Sequence, residues 1–479
     1  MLLHSSRREA KRVGRDMRMR ALLLLLTTAT VAVLAFGLQA AQPAHAATTF
    51  TVNSTGDADD ADTTDNICDS DAGMPDEQCT LRAAIQQANV TSGADEIHFS
   101  IPGSGVHTIT PSSALPTITE PVTIDGYTQG DGTPDSSDDA TENTILVARD
   151  GTNAKPLIEL NGANVTSPSR NGLAINASNV EVRGLVINRF GGTGIFILGN
   201  GSGAKIKGNF IGTDPSGTQS LVGNGTGVTA FGGGANIIGG RDAAAHNLIS
   251  GNNTQGLTIA SNTGNTIQGN LIGTDKGGTN NLANATEGVG IGSSNNIIGS
   301  AAADNDLDSN LIAFNGGDGV SITGGTGNRI LNNRIHTNGK LGINLVGGKE
   351  DVNGVTKNDG RAKDRDTGSN NLQNFPTITS ARTEGGTTTI KGTLRSAPKK
   401  TFIVQLFSSP AADSPSGYGE GKEFQNKTEV TTNREGRGSF TFTTGDIRGE
   451  FVTVTATNNI TGDTSEFSKA CEVPRRTCS

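Results

Sequence analysis

The nine residues IKGNFIGTD (206–214) return almost unchanged as IQGNLIGTD (267–275), 61 residues later. Their flanks return with them. ANIIGG (235–240) is matched by NNIIGS (295–300), and NLISGNNTQGLTI (247–259) by NLIAFNGGDGVSI (310–322). Similar segments at a fixed spacing restrict a chain to repeat architectures, in which each unit buries its apolar face only against its neighbours.

The repeated segments are short apolar runs: EVRGLVI (181–187), KIKGNFI (205–211), NTIQGNLI (265–272) and NRILNNRI (328–335). Gly and Asn bound each run, which reads as strands and turns and leaves no run long enough for a globular helix. Asn188 and Asn209 are 21 apart, and Asn247/Asn270 and Asn310/Asn333 are each 23 apart. A period of 21–23 residues holds three short strands and three turns. It predicts a coil of parallel strands stacked at about 4.8 Å, with inward columns of Ile, Leu and Val. Asn suits the tight turns because it tolerates left-handed backbone angles, and stacked amides can bond from rung to rung. The polar stretches after each IGTD, 215–227 and 276–288, are expected to leave the coil as loops on one side. Hairpin repeats of a sandwich or propeller would be longer. With 66 Gly, two Tyr and no Trp, the core must come from aliphatic residues and some Phe, and the absence of a G-X-Y period excludes collagen.

On these runs, together with EIHFSI (96–101) and VTIDGYT (122–128), residues 95–346 resemble the right-handed parallel β-helix of pectin-lyase-like proteins. The resemblance implies an all-β solenoid. It does not imply one activity, since the fold hosts several.

Residues 1–46 read as an export signal. Seven Lys/Arg lie between Arg7 and Arg20, an apolar stretch runs from Ala21 to Leu38, and Ala44-His45-Ala46 offers a cleavage site. Removing this segment takes the net charge from −9 to −14. Such a body repels nucleic acid and anionic polysaccharide unless a local basic patch or a cation intervenes. No later apolar stretch is long enough for a transmembrane helix, so a secreted or cell-surface location is expected. The four cysteines, Cys68, Cys79, Cys471 and Cys478, allow three pairings; closeness in sequence favours two local disulfides.

Open coil ends expose unpaired strand edges and need covers. In CTLRAAIQQAN (79–89), Leu81, Ala84, Ile85 and Ala88 form one apolar helical face, with Thr80 as N-cap. Residues 79–85 resemble the N-terminal module of bacterial CSLREA-domain proteins, with Thr80 in place of Ser and Ala83 in place of Glu. The missing Glu removes half of a capping box, at a cost of about 0.5–1 kcal/mol. The resemblance extends to SGYGEGKEF (416–424) and implies a secreted or surface protein without an assigned reaction. The expected order is therefore signal peptide (1–46), N-terminal capping segment with a short helix (47–94), β-helix (95–346), linker (347–374) and a small immunoglobulin-like β-sandwich (375–479). TTTIKGTL (387–394), TFIVQLF (401–407), KTEVTT (427–432), GSFTFTT (438–444) and FVTVTATN (451–458) supply the last domain's strands.

Chemistry is harder to read. Lyases of this fold need a base and a cation site, and hydrolases need positioned carboxylates. Arg183, Arg189, Arg329 and Arg334 are the coil arginines. Asp214 and Asp275 occupy equivalent repeat positions and read as turn formers, while His246 and His336 stand alone. Asp304, Asp306 and Asp308 alternate in DNDLD (304–308) and are the candidate ligands for Ca²⁺. No other cofactor is expected. The expected function is non-catalytic adhesion or contact with extracellular polysaccharide or a cell-surface glycan. The alternative is a polysaccharide lyase or glycoside hydrolase.

Overall fold

The computed structural model describes residues 47–474 except 71–77, 131–138, 167–168, 221–222, 262, 302–305, 360–363 and 365. The expected signal segment, Asp304 and Cys478 lie outside the described residues.

Three parallel sheets of nine, eight and seven strands, here A, B and C, wind into a right-handed β-helix. Each sheet contributes an inward aliphatic column. In sheet A it runs Ile97, Ile124, Val182, Ile206, Ile238, Ile267, Ile298, Ile330, all in register. In sheet B, Ile211 pairs with Ile249, Ile249 with Ile272, Ile272 with Ile312 and Ile312 with Ile335, and all five are buried. Burying each such side chain stabilises by roughly 1.5–3 kcal/mol, so neighbouring rungs hold each other.

Three asparagine ladders run along the corners. Between sheets A and B, each amide Nδ2 donates to the next Oδ1 through Asn209, Asn247, Asn270, Asn310 and Asn333, at 3.2, 2.9, 2.9 and 2.8 Å. Between B and C the series is Asn224, Asn252, Asn284, Asn315, Asn338, at 3.1, 2.8, 2.9 and 2.9 Å. Between C and A it is Asn236, Asn265, Asn296, Asn328, at 3.0, 2.8 and 2.8 Å.

The A–B ladder corrects the expected period. Its sequence separations are 38, 23, 40 and 23, so long and short rungs alternate. The 61-residue repeat is one long rung plus one short rung. Asn188 is not a ladder equivalent of Asn209; it pairs in register with Asn161. The extra residues enter at two corners, after IGTD and again between sheets A and B (240–246 and 300–309), and leave strand stacking untouched, so rung length can vary.

The IGTD motif marks where the long loops leave. Ile211 and Ile272 point inward. Gly212 and Gly273 have φ of 104° and 87°, and a Cβ at either would lie 2.2 Å from a backbone oxygen of the next rung. Asp214 Oδ1 then accepts the N–H groups of Thr218 and Gln219, and Asp275 Oδ1 those of Thr279 and Asn280. The two loops stack through Lys276 N–H to Gly217 O at 2.8 Å.

At the front, Leu81–Ala88 is a helix whose N-cap Thr80 accepts the Ala83 N–H at 3.0 Å. It is buried nearly all round, beyond its one apolar face, because Arg82 turns inward onto Asp57 and the Ser113 and Ala114 carbonyls. Cys68 and Cys79 form a disulfide. The segment 47–94 is more than a cap, since Thr49–Val52 pairs with Asp95–Phe99 as the first strand of sheet A. The edge of Asp95–Phe99 would otherwise stand unpaired.

At the back, Thr377–Glu384, Thr387–Arg395 and Arg437–Thr444 form one antiparallel sheet. Glu423–Thr431, Thr401–Ser409, Phe451–Asn458 and Cys471–Glu472 form the other. This immunoglobulin-like sandwich closes the coil. Ile330 N–H donates to Thr464 Oγ1 at 2.9 Å, Ile335 and Gly421 exchange two backbone bonds, and Leu345 N–H donates to Glu466 Oε1 at 3.0 Å. At least one bond thus lands on the last strand of each sheet. Phe407, Phe467 and Leu372 join the coil's own apolar core. The expected linker is part of this cover: Asn370 Oδ1 accepts the Asn328 N–H at 2.9 Å, and Ser369 Oγ donates to Val346 O. Unpaired edge groups at the coil end draw the segment down.

Candidate functional site: the seam between coil and sandwich

The strand Glu423–Thr431 lies along the side of the last rungs and leaves two adjoining cavities. One, about 410 Å³, is lined by Arg149, Asp306, Asn332, Arg334, Phe424, Gln425, Asn426 and Lys427. The other, about 600 Å³, shares Lys427 and adds Arg329, Ile403, Thr428, Glu429, Asn459 and Ala301. Among the described lining residues four are cationic and two are carboxylates.

Local sequence explains each placement. Arg334 stands at the end of the outward column of sheet B, after Leu248, Leu271 and Leu311. Loop residues Ala148 and Ala154 pack on that apolar column lower down, which brings Arg149 to the seam. Alternation in the Glu423–Thr431 strand turns Lys427 and Glu429 away from Val430, which is buried in the sandwich.

Arg334 is buried and paired with Glu423, with its second nitrogen 3.6 Å from Asp306. Arg149 holds the same Asp306 oxygen at 2.8 Å. Arg329 differs. Its one side-chain bond among the described residues is a donation to Asn459 O at 3.3 Å, and no carboxylate there pairs with it. Burial pulls its pKa below the usual arginine range with no acid opposing the shift.

The remaining sequence candidates scatter. Arg183 bridges Asp125 and Glu142 on sheet A. Arg189 sits in a positive-φ turn beside a depression that it shares with Arg170. Asp308 meets Arg241 at 3.0 Å, so the two described acids of DNDLD face different arginines. Among the described residues, no three His, Cys, Asp or Glu side chains are grouped as for a metal ion. His246 is fully buried, with Nδ1 3.3 Å from Asn143 Nδ2 and a pKa lowered to about 4 by burial. His336 is lowered to about 4 by the same cause and packs edge-on to Phe314. Cys471 is half-buried and forms no disulfide with a described residue.

Sequence reasoning missed Arg149, Lys427 and Phe424, which belong to a loop and to the sandwich. It also missed Glu287 and Asp318, which stand two residues before the paired Val289 and Val320 on neighbouring rungs. Asp318 is pushed up by burial, against bonds from Asn344 and Leu341. Burial acts the same way on Glu287, but bonds led by Gln255 hold it lower than usual.

No family model matches the chain, and no curated protein matches it. Three tailspike structures are similar. The enzymatically active domain of bacteriophage CBA120 tailspike protein 2 is 14% identical, covering 83% of this chain and 74% of that one, with a TM-score of 0.20. Full-length tailspike protein 2 from Escherichia coli O157:H7 bacteriophage CAB120 is 12% identical, covering 83% and 66%, at 0.19. Tailspike protein gp49 from Acinetobacter baumannii bacteriophage Fri1, a capsular polysaccharide depolymerase, is 10% identical, covering 78% and 70%, at 0.17. At these TM-scores the likeness transfers no residue role.

Proposed function

We propose that the chain is an exported β-helix protein that acts at or outside the cell surface by non-catalytic contact with a glycan. The observation that carries this reading is the seam. Two adjoining cavities place amides of Asn332, Gln425, Asn426 and Asn459 beside Phe424 and four cationic side chains. Amides and charged groups suit sugar hydroxyls, an aromatic face suits a pyranose ring, and domain junctions are favoured binding places. Export is supported by the basic-then-apolar N-terminal sequence and by the Cys68–Cys79 disulfide, which persists in oxidising compartments. The resemblance of residues 79–85 is what supports assigning the N-terminal module to the CSLREA type.

The test is calorimetric titration of residues 47–479 with neutral and acidic oligosaccharides, beside an assay for their cleavage. Saturable binding without cleavage is the expected result. Binding by no glycan overturns the reading.

Glu287 and Asp318 favour a second reading, a lyase or hydrolase. Two carboxylates on neighbouring rungs, one pushed up and one held low, fit the unlike acid and base of glycosidic cleavage. Cleavage abolished by Glu287→Gln or Asp318→Asn would establish it in place of the first.

A further inference from the structure

Resting on the glycan reading, we propose that the cavity at Arg329 binds the oxyanion of an acidic glycan, a sugar carboxylate or a sulfate ester. Two other cations of the seam meet acids. Arg149 and Arg334 share Asp306, and Arg334 also holds Glu423. Arg329 has lost much of its water without gaining a carboxylate in return. A guanidinium in that condition is an unfavourable arrangement for the free protein. It becomes favourable when an anion completes the pair, because its planar fork matches a carboxylate or sulfate edge through charge-assisted bonds.

The surroundings complete the site. Arg329 occupies the outermost register position of sheet A on the last rung, following Ile237, Thr266 and Ile297. Its neighbours along that column carry no charge to neutralise it. The cavity, about 600 Å³, is also lined by Thr428 and Asn459, which suit sugar hydroxyls, and by Lys427. Glu429 also lines it, and no ion pair joins that carboxylate to Arg329 among the described residues. The −14 charge of residues 47–479 works against any polyanion that contacts the body broadly. Recognition is therefore expected for acidic groups that reach this pocket and not for anionic polymers in general.

Calorimetry on residues 47–479 at low ionic strength tests the site with three probes: an oligouronate, a sulfated oligosaccharide and a neutral oligosaccharide. At least one acidic probe is expected to bind about tenfold or more tightly than the neutral one, with affinity falling as salt is raised. Arg329→Gln is expected to remove that preference while the melting temperature stays level or rises, because a half-desolvated, unpaired charge has been deleted. An arginine with a purely structural role would instead lower the melting temperature. Lys427→Gln provides a second variant and is expected to weaken acidic probes by a smaller factor. If Arg329→Gln binds acidic probes as wild type does, or if neutral and acidic probes bind alike, the oxyanion site is overturned and the glycan reading survives. If no oligosaccharide binds, the glycan reading falls; inorganic sulfate then decides the cavity, protecting wild type but not Arg329→Gln against heat if the oxyanion site is real, and protecting neither if it is not.

Discussion

Asn284 shows how much one ladder amide carries. Its Oδ1 accepts both the backbone N–H of Asn252 at 3.1 Å and Asn252 Nδ2 at 2.8 Å. Its Nδ2 donates to Asn315 Oδ1 at 2.9 Å and Ile249 O at 3.0 Å. Alanine would orphan these groups inside a fully buried corner, so Asn284→Ala is expected to lower unfolding free energy by about 3 kcal/mol, read from urea denaturation. Calcium belongs to the same scale. A cation at Asp306 or Asp308 would have to displace Arg149 and Arg334 from one, and Arg241 from the other. Titration with Ca²⁺ is therefore expected to release no heat at millimolar concentration, and a saturable signal would overturn that expectation.

Among the elements, the N-terminal helix depends on two local devices. Thr80 satisfies one of its free N–H groups, and the Cys68–Cys79 bridge closes the loop in front of it. Thr80→Ala is expected to cost ~1 kcal/mol, and Cys68→Ser with Cys79→Ser about 2–3 kcal/mol, both measurable in the same denaturation experiment. The helix, its cap and the disulfide were legible because each rests on residues close in sequence. The rung length was not. Apolar runs and corner asparagines repeat faithfully, but the loop after each IGTD enters and leaves at nearly the same point. Its length is therefore invisible to the packing that shaped the repeat.

The molecule's far end is closed by carboxylates. Glu420 Oε1 accepts the backbone N–H and Nδ2 of Asn338, both at 3.0 Å. That is the pair of bonds that Asn252 gives to Asn284 and Asn315 gives to Asn338, so Glu420 stands in for the next rung. Glu466 accepts the N–H groups of Leu345 and Thr356. Burial pushes Glu420 up to about 7 and Glu466 up to about 8, against these donors and from an ordinary 4.5. Asp413 adds to the shift at Glu420 and Glu350 to that at Glu466. A raised folded-state pKa means the native state holds protons that the unfolded chain has released. The resulting stability is fully present below pH 4.5 and is lost as pH rises through about 7 and about 8. The melting temperature is expected to fall across that window. Glu420→Gln, whose amide oxygen can accept as asparagine does, should flatten the lower part of the fall without lowering stability at pH 8.

Periodic aliphatic runs with Gly and Asn at their ends were enough to specify a parallel coil, because inward columns and corner ladders form only when like residues stack. The antiparallel sandwich was equally readable from its alternating strands. What the sandwich does was decided by tertiary structure alone. Glu420 and Gly421 stand in the stretch 416–424 marked by resemblance alone, and with Glu466 they become the cover of the last rung only when two separately coded domains meet. The seam arises the same way. Arg149, Arg329 and Lys427 are 180 and 98 residues apart along the chain, and their shared charge exists only because strand Glu423–Thr431 comes to rest beside the coil.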